Sequence, residues 1–359
     1  MNIEKAKLLD NFINIKNIVN FNFLVCYKNL FCEIGIENNI GSYIILSIIF
    51  FHIITLILFY AKQFQSLKKK INNISNFIFE KVNKESNLTT NSNTKKILTS
   101  NIKYNLKRKK KSNTKKNINL PKIKKENKIM KFKDEEINTL PYNLALIYDK
   151  RNYCEYYASL LKTQHNLICA FFNNDDYNSQ IIKIDLFFIG FAIEYTVNGL
   201  FFNDDTMHKI YESKGEFDFE HQIPIIIYST LISMIFNSPL NYLALSNEAV
   251  LNFKQIRIKN NIQKKAKKLK NILANKFIIY FIISFLFLVF FWYYISMFGV
   301  IYKNTQIHLL KDTLMSVGLS LLFPFGYYIL PGFFRIPALS NHKKKKKCLY
   351  NFSKIIQSF

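Results

Sequence analysis

Long runs of mostly apolar residues recur along this chain and constrain its fold more than any other feature. A helix rises about 1.5 Å per residue, so roughly 20 residues cross the ~30 Å hydrocarbon core of a bilayer. In lipid, only helices and closed barrels satisfy their backbone hydrogen bonds, and these runs lack the alternation of barrel strands. The sequence therefore predicts an all-α fold, a helical multi-pass transmembrane bundle.

Five runs are predicted to span the membrane. They cover residues 41–61, 181–202, 223–245, 277–302 and 313–339. Pro239 lies late in the third run and is expected to kink or end that helix, because proline lacks the N–H that an inner turn requires. Pro324 and Pro331 are expected to break the fifth run for the same reason.

The charges between these runs predict their orientation. Residues 62–133 hold 22 Lys and Arg against three Glu, a net charge of +19. The segment 203–222 is acidic, whereas 246–276 and the tail after Arg335 are basic. Because Lys and Arg near span ends stay in the cytoplasm, five spans place every basic segment inside. We expect an integral protein of the plasma membrane or an endomembrane, with its N-terminus outside and its C-terminus in the cytoplasm.

The same pattern divides the chain into segments. They are a short outer segment at 1–40, the first span at 41–61, a disordered Lys- and Asn-rich cytoplasmic loop at 62–140, a membrane domain at 141–340 and a basic cytoplasmic tail at 341–359. Within the membrane domain, residues 143–172 have helical apolar spacing. That helix either lies on the membrane surface or packs on the neighbouring loops, and both alternatives stay open.

A few polar residues inside the spans form a candidate intramembrane site, because ionisable groups in lipid are costly and face protein or water. Glu194 and Asn198 are four residues apart and share a helix face. Glu194 is either protonated and hydrogen-bonded or part of a cation or proton site. His52 is either packed against a neighbouring helix or involved in transport. Lys183 and Asp185 are interpreted as snorkelling to the cytoplasmic interface.

A basic cluster follows the last span and is expected to contact anionic lipid headgroups at the cytoplasmic face. It comprises Lys343, Lys344, Lys345, Lys346 and Lys347. No nucleotide-binding loop, zinc-ligand spacing or hydrolase motif occurs in the sequence, so we predict no enzyme, cofactor or metal site. Nucleic acid is not expected as a partner, because the basic stretches lack interleaved aromatic platforms.

Three blocks of the second half resemble a family of uncharacterised multi-pass membrane proteins from unicellular eukaryotes with A/T-rich genomes. The blocks are YCEYYASLLKTQHNLICAFF (153–172), DYNSQIIKIDLFFIGFAIEYTVNGLFFNDDTMHKIYESKGEFDFEHQIPIIIYSTLIS (176–233) and FFWYYISMFGVIYKNTQIHLLKDTLMSVGLSLLFPFGYYILPGFFRIPAL (290–339). The resemblance covers about residues 140–340 and implies membership without an activity. In similar proteins this region looks like the C-terminal membrane portion of a larger surface protein.

Two functions fit these observations. The first is a membrane anchor or scaffold whose basic cytoplasmic segments engage lipid or acidic partners. The alternative is a component of a cation channel or transporter, for which Glu194, Asn198, His52 and Asn237 are the candidate polar path. The spans show no evident inverted repeat, which disfavours a monomeric transporter, while a pore built by a homo-oligomer stays open.

Overall fold

The computed structural model describes residues 37–80, 133–202, 219–254, 261–340 and 346–357, with a few isolated positions besides. Every regular element in these ranges is helical. The helices are α1 (Ile40–Glu80), α2 (Asp134–Thr139), α3 (Tyr142–Tyr148), α4 (Tyr153–Gln164), α5 (Asn166–Phe172), α6 (Gln180–Leu200), α7 (Phe219–Ala244), α8 (Asn247–Lys254), α9 (Ile262–Ile301), α10 (Gln306–Tyr327), α11 (Ile329–Ser340) and α12 (Lys347–Gln357). The all-α prediction is confirmed for the residues described.

Within the part of the chain that the structure describes, three helical stretches are long and apolar enough to cross a membrane, judged by length and composition. They are Ile40–Glu80, Ile262–Ile301 and Lys303–Ser340, the last of which comprises a short 3-10 turn, α10 and α11. These stretches include the predicted first, fourth and fifth runs. α6 carries three charged residues within 21, and this charge sets it apart from the other three.

α1 packs antiparallel to both α6 and α9, so the bundle has two distinct ends. At the Asn39 end, the Asn39 amide donates to the Ser296 carbonyl across 2.7 Å, joining the start of α1 to the end of α9. The Gln306 amide at the start of α10 accepts from the Ile40 N–H across 3.0 Å. The start of α1 and of α10 therefore meet the C-terminal end of α9.

At the opposite end, named the Gln63 end, the remaining helix termini converge. The Ser179 hydroxyl, which caps α6, donates to the Gln63 amide oxygen across 3.0 Å. The Lys276 ammonium on α9 donates to the Leu245 carbonyl, just after α7, across 2.8 Å. α1, α6, α7 and α9 thus meet at this end: α6 begins here and α7 ends here, while α1 and α9 continue beyond it.

Two helices extend well beyond the predicted spans, and this corrects the segment boundaries. α1 passes through a π-helical turn at Phe59–Gln63 and continues to Glu80. The predicted loop at 62–140 is therefore helical at 62–80, and helical again at Asp134–Thr139. Similarly, α9 begins at Ile262, inside the stretch that we interpreted as a basic loop. Apolar residues repeating every seven positions cause the extension of α1, as argued below; residues 81–132 lie outside the described range.

Three other predicted helices begin, end or break at positions that the sequence analysis did not predict. The single helix expected at 143–172 is divided into α3, α4 and α5, and the Asn152 side chain caps α4 by accepting from the Glu155 N–H. Pro239 does not end α7, which runs on to Ala244. The fifth run breaks between Tyr327 and Ile329. Pro331 explains this break, because it lacks the N–H that would bond to the Tyr327 carbonyl four residues before it.

Candidate functional site in the helix bundle

A cluster of His52, Asp185 and Tyr280 joins three helices in the middle of the bundle. The Asp185 carboxylate lies 2.9 and 3.0 Å from Nδ1 of His52 on α1. It also accepts a hydrogen bond of 2.8 Å from the Tyr280 hydroxyl on α9. The exposed fractions of His52 and Asp185 are 2% and 1%. Asp185, on α6, therefore has its polar partners within the protein.

The second ring nitrogen of His52 reveals how the charge of this cluster is balanced. Nε2 lies 3.2 Å from the Phe281 carbonyl, which can only accept. Nε2 must then carry a proton, since a carbonyl has no hydrogen to donate. The contact between Nδ1 and Asp185 needs one further proton, held by either partner. In both arrangements the pair has no net charge, which lowers the cost of burying it in an apolar environment.

Glu194 and Asn198 form a second polar contact on the other side of α6. The Ser316 hydroxyl donates to the Glu194 carboxyl, and the Asn198 amide donates to the Thr313 hydroxyl across 3.2 Å. Both partners lie on α10. Glu194 and Asn198 are four residues apart on α6, and Thr313 and Ser316 are three apart on α10. Residues three or four apart lie on the same face of a helix, so the two pairs can meet across one interface.

The predicted site is thus divided between two places. Nine residues separate Asp185 from Glu194, which corresponds to about 14 Å along the axis and to opposite faces of α6. His52 meets α6 at Asp185, while Glu194 and Asn198 meet α10. Asn237 lies elsewhere, with its amide oxygen 3.6 Å from where a Cβ on Gly190 would be. Among the described residues, these groups do not form one cluster.

The interpretation of Asp185 and Lys183 as snorkelling groups is wrong. Asp185 is buried in the cluster with His52. The Lys183 ammonium is buried as well, donating to Asp176 across 3.0 Å and to the Asn173 carbonyl. The signal for Asp185 was present in the sequence: it is the only acidic residue within the first half of α6, and the first run contains no Asp, Glu, Lys or Arg and only one His, His52. Pairing them would have required the helix order.

The Gln63 end carries a further ionic cluster around α2. Glu136 accepts from the Lys254 ammonium across 2.6 Å and from the Tyr177 hydroxyl across 3.2 Å. Burial raises the pKa of the neighbouring Glu135 to about 7, and the negative charge of Asp176 adds to the effect. Burial also raises the pKa of Tyr177. These contacts hold α2 against the loop before α6 and against α8.

Arg335 is the centre of a subdomain formed by α2, α3, α4, α11 and α12. Its guanidinium, which is 0% exposed, donates to Asp149 across 2.9 Å and to the Ile137 carbonyl across 2.8 Å. The rings of Tyr156 and Tyr350 each lie 4.9 Å from it. Arg335 lies within the predicted fifth span at 313–339, and its side chain packs inside this subdomain.

Asp149 balances two guanidinium groups in this subdomain. Burial alone would raise the pKa of Asp149, but the hydrogen bonds and charges of Arg151 and Arg335 outweigh burial and hold the pKa below its usual range. Arg151 approaches Asp149 to 2.8 Å. The carboxylate is therefore ionised, and it joins α11 to the segment between α3 and α4.

The predicted basic cluster lies beside the same subdomain. Lys343, Lys344 and Lys345 lie outside the described residues. The backbone N–H of Lys346 donates to the Tyr142 hydroxyl across 3.2 Å, and Lys347 begins α12. Part of the tail that we expected at the lipid surface is therefore docked on α3.

Neither cluster in the bundle resembles a metal centre. Among the described residues, no group of three or more His, Cys, Asp or Glu side chains is arranged to hold a metal ion. The chemistry available to His52, Asp185 and Tyr280 is proton exchange within a hydrogen-bonded group, and the chemistry of Glu194 is that of a carboxyl facing a hydroxyl.

Comparisons of the chain with protein-family models, with curated proteins and with solved structures found no match. The resemblance to membrane proteins of A/T-rich unicellular eukaryotes stays a prediction.

Proposed function

We propose that this protein is a five-span membrane anchor or scaffold, with the Asn39 end of its bundle outside and the Gln63 end in the cytoplasm. α1, α6, α7, α9 and α10 would be the five spans. The polar contacts between these helices would fix the bundle, and the basic segments at the Gln63 end would engage anionic lipid or acidic partners. The resemblance to an uncharacterised family of multi-pass membrane proteins agrees with the membrane placement.

The exposed surface of the bundle carries this proposal. Soluble proteins rarely expose apolar patches larger than a few hundred Å². Here large apolar side chains face outward along four helices. They include Leu46, Phe50, Ile53 and Ile57 on α1, Leu231, Met234 and Ile235 on α7, Ile278, Ile282, Phe285 and Leu286 on α9, and Leu314, Leu319, Leu322 and Phe323 on α10. Such a belt is expected where lipid is the solvent.

The position of α6 supports its inclusion as a span despite its charges. Near its start it meets Gln63, and near its end the Tyr294 hydroxyl donates to the Gly199 carbonyl across 3.3 Å. α6 therefore runs the length of the bundle between the same two ends as α1 and α9. Its charged groups are paired with other residues, which removes the main objection to a place in the membrane.

The pairing of these groups favours an anchor. Asp185 is bonded to His52 and Tyr280, and Glu194 is bonded to Ser316. Interhelical hydrogen bonds in membranes stabilise a bundle by about 0.6 kcal/mol each on average. A set of bonds across four helices therefore acts mainly to fix their packing.

A cation channel or transporter component is the second candidate, and one observation favours it. His52 and Asp185 share a hydrogen bond deep in the bundle, and paired ionisable residues within spans are also a feature of proton pathways. Glu194 would be the other titratable group of such a path.

Ion flux in reconstituted vesicles separates the two functions. The anchor predicts no proton or potassium flux above that of protein-free vesicles, for the unmodified protein and for Glu194→Gln. Glu212→Gln is the matched control, because Glu212 is an exposed carboxylate outside the bundle. A measurable flux that Glu194→Gln or His52→Gln abolishes, and Glu212→Gln leaves intact, would replace the anchor by the transporter.

A further inference from the structure

The extensions of α1 and α9 form an antiparallel two-helix stalk beyond the Gln63 end. The basic stalk, as we name it, comprises residues 64–80 and 262–276. Both helices of the stalk, 64–80 of α1 and 262–276 of α9, bury apolar residues that repeat with a spacing of seven. The buried residues are Phe64, Leu67, Ile71 and Ile78 on α1, and Ile262, Ala266 and Leu273 on α9. A repeat of seven with apolar residues at two positions is the pattern of coiled coils.

The stalk is too long to lie within a single bilayer together with the bundle. α1 has 41 residues and α9 has 40, so each is about 60 Å long, twice the hydrocarbon thickness. The Lys270 ammonium donates to the Asn72 amide oxygen across 2.7 Å, which shows that the pair stays together outside the bundle. Residues 64–80 account for about 25 Å of this length.

The stalk carries positive charge along its whole length. Its lysines are Lys68, Lys69, Lys70, Lys264, Lys265, Lys267, Lys268, Lys270 and Lys276, and its only acidic residue is Glu80. There is no arginine for bidentate recognition, so the surface suits a diffuse negative charge more than a defined phosphate group.

The tip of the stalk combines this charge with exposed aromatic rings. Phe77 and Phe79 are 43% and 45% exposed. The pairing of Asn72 with Lys270 puts them near the four lysines at 264–268. Lysines beside exposed Phe are typical of surfaces that enter the headgroup region of a bilayer.

The protein's own bilayer is a poor partner for this tip. Surface charge is screened over about 8 Å at physiological salt. The stalk, which continues the axes of α1 and α9, holds its tip about 25 Å from the bundle, roughly three times that screening length. We propose that the tip of the basic stalk binds a second, anionic bilayer, so that the protein bridges two membranes. The proposal rests on the cytoplasmic placement of the Gln63 end argued above.

Capture of liposomes tests the bridge. The full-length protein is reconstituted with the Gln63 end outward, as verified by labelling of Asn76→Cys at the stalk in a cysteine-free background. Fluorescent liposomes with and without phosphatidylserine are then added at 0.15 M salt. We expect capture of the anionic liposomes only. Replacing Lys264, Lys265, Lys267 and Lys268 with Gln should reduce the binding constant by roughly 700-fold, at about 1 kcal/mol per lysine.

Two further variants distinguish a bilayer from other polyanions. Phe77→Ser with Phe79→Ser should reduce liposome capture severalfold and leave RNA binding unchanged. Lys303→Gln with Lys311→Gln, at the opposite end of the bundle, is the control and should have no effect. Capture that ignores the tip lysines, or RNA binding that matches liposome binding and ignores the Phe variants, overturns the bridge. Exclusion of Asn76→Cys from the cytoplasmic compartment of cells would instead refute the topology.

Discussion

The guanidinium of Arg335 should be the largest single polar contribution to the stability of the subdomain around α11. Replacing it with Met removes its bonds to Asp149, Ile137 and Asn138 and its contacts with two tyrosine rings. Removing one partner of a buried ion pair costs about 3–5 kcal/mol. Because Asp149 keeps its bond to Arg151, we expect the lower end of that range.

Hydrogen exchange of backbone amides in α2 and α12 measures this loss. Both helices contact the site: α2 through the Ile137 carbonyl, and α12 through Tyr350, whose hydroxyl donates to the Leu140 carbonyl across 2.7 Å. A loss of about 3 kcal/mol raises the local opening equilibrium about 150-fold. In the Arg335→Met protein, amide exchange in α2 and α12 should therefore accelerate about 150-fold. The measurement is made in nanodiscs at neutral pH.

Two variants control for the interpretation. Arg335→Lys keeps the charge and loses the planar fork, so it should fall between the original protein and Arg335→Met. Arg151→Met removes the other partner of Asp149, the side chain of Arg151, which is 12% exposed, and should accelerate exchange less than Arg335→Met, because Arg335 still neutralises the buried carboxylate. If Arg335→Met changes exchange by less than threefold, the guanidinium does not hold the subdomain and the reasoning fails.

Three other predictions concern the bundle and its cytoplasmic end. A Cβ on Gly299 would lie 2.4 Å from the Asn39 amide oxygen that caps α1, so Gly299→Ala should lose the cap and destabilise the protein by about 1–2 kcal/mol in thermal unfolding; unchanged stability would contradict the contact. A double-mutant cycle between His52→Leu and Asp185→Leu should give a coupling energy of about 1 kcal/mol or more, and additive effects would show that the two side chains do not interact. The pKa of Glu135 is raised from 4.5 to about 7 in the folded protein. Protonation of Glu135 therefore stabilises the folded state fully below about pH 4.5, and this stabilisation is lost as the pH rises through about 7. Opening of α2 should increase about tenfold from pH 6 to pH 8, and a pH response that persists in Glu135→Gln would rule Glu135 out as its source.

Local pattern was enough to locate the apolar helices, because a run of twenty apolar residues admits few other structures. The stalk was also readable: Phe64, Ile71 and Ile78 repeat every seven residues, but abundant Lys and Asn around them hid the pattern. Composition suggested disorder there, while the spacing of the apolar residues indicated a coiled coil. Periodicity is the more reliable guide when base composition inflates the polar residues.

Long-range partners could not be predicted from one sequence. Asp185 resembled a snorkelling charge until the helix order brought His52 beside it, 133 positions away in the chain. Arg335 lay inside the predicted fifth span with no partner assigned from the sequence, and the structure places Asp149, 186 positions away, next to it. In both cases the residue type indicates that burial of the side chain is unfavourable without a partner. Only the packing of the helices identifies that partner.

The compartment of residue 213 tests the five-span account most directly. If only α1, α9 and α10 crossed the membrane, both chain ends would stay where we place them, but residue 213 would lie in the cytoplasm. With α6 and α7 as spans, it lies outside. In a cysteine-free background, we predict that Ser213→Cys reacts with a membrane-impermeant maleimide in sealed vesicles whose outer face is exposed, whereas Ser86→Cys reacts only after permeabilisation. Protection of Ser213→Cys until the membrane is opened would contradict the account.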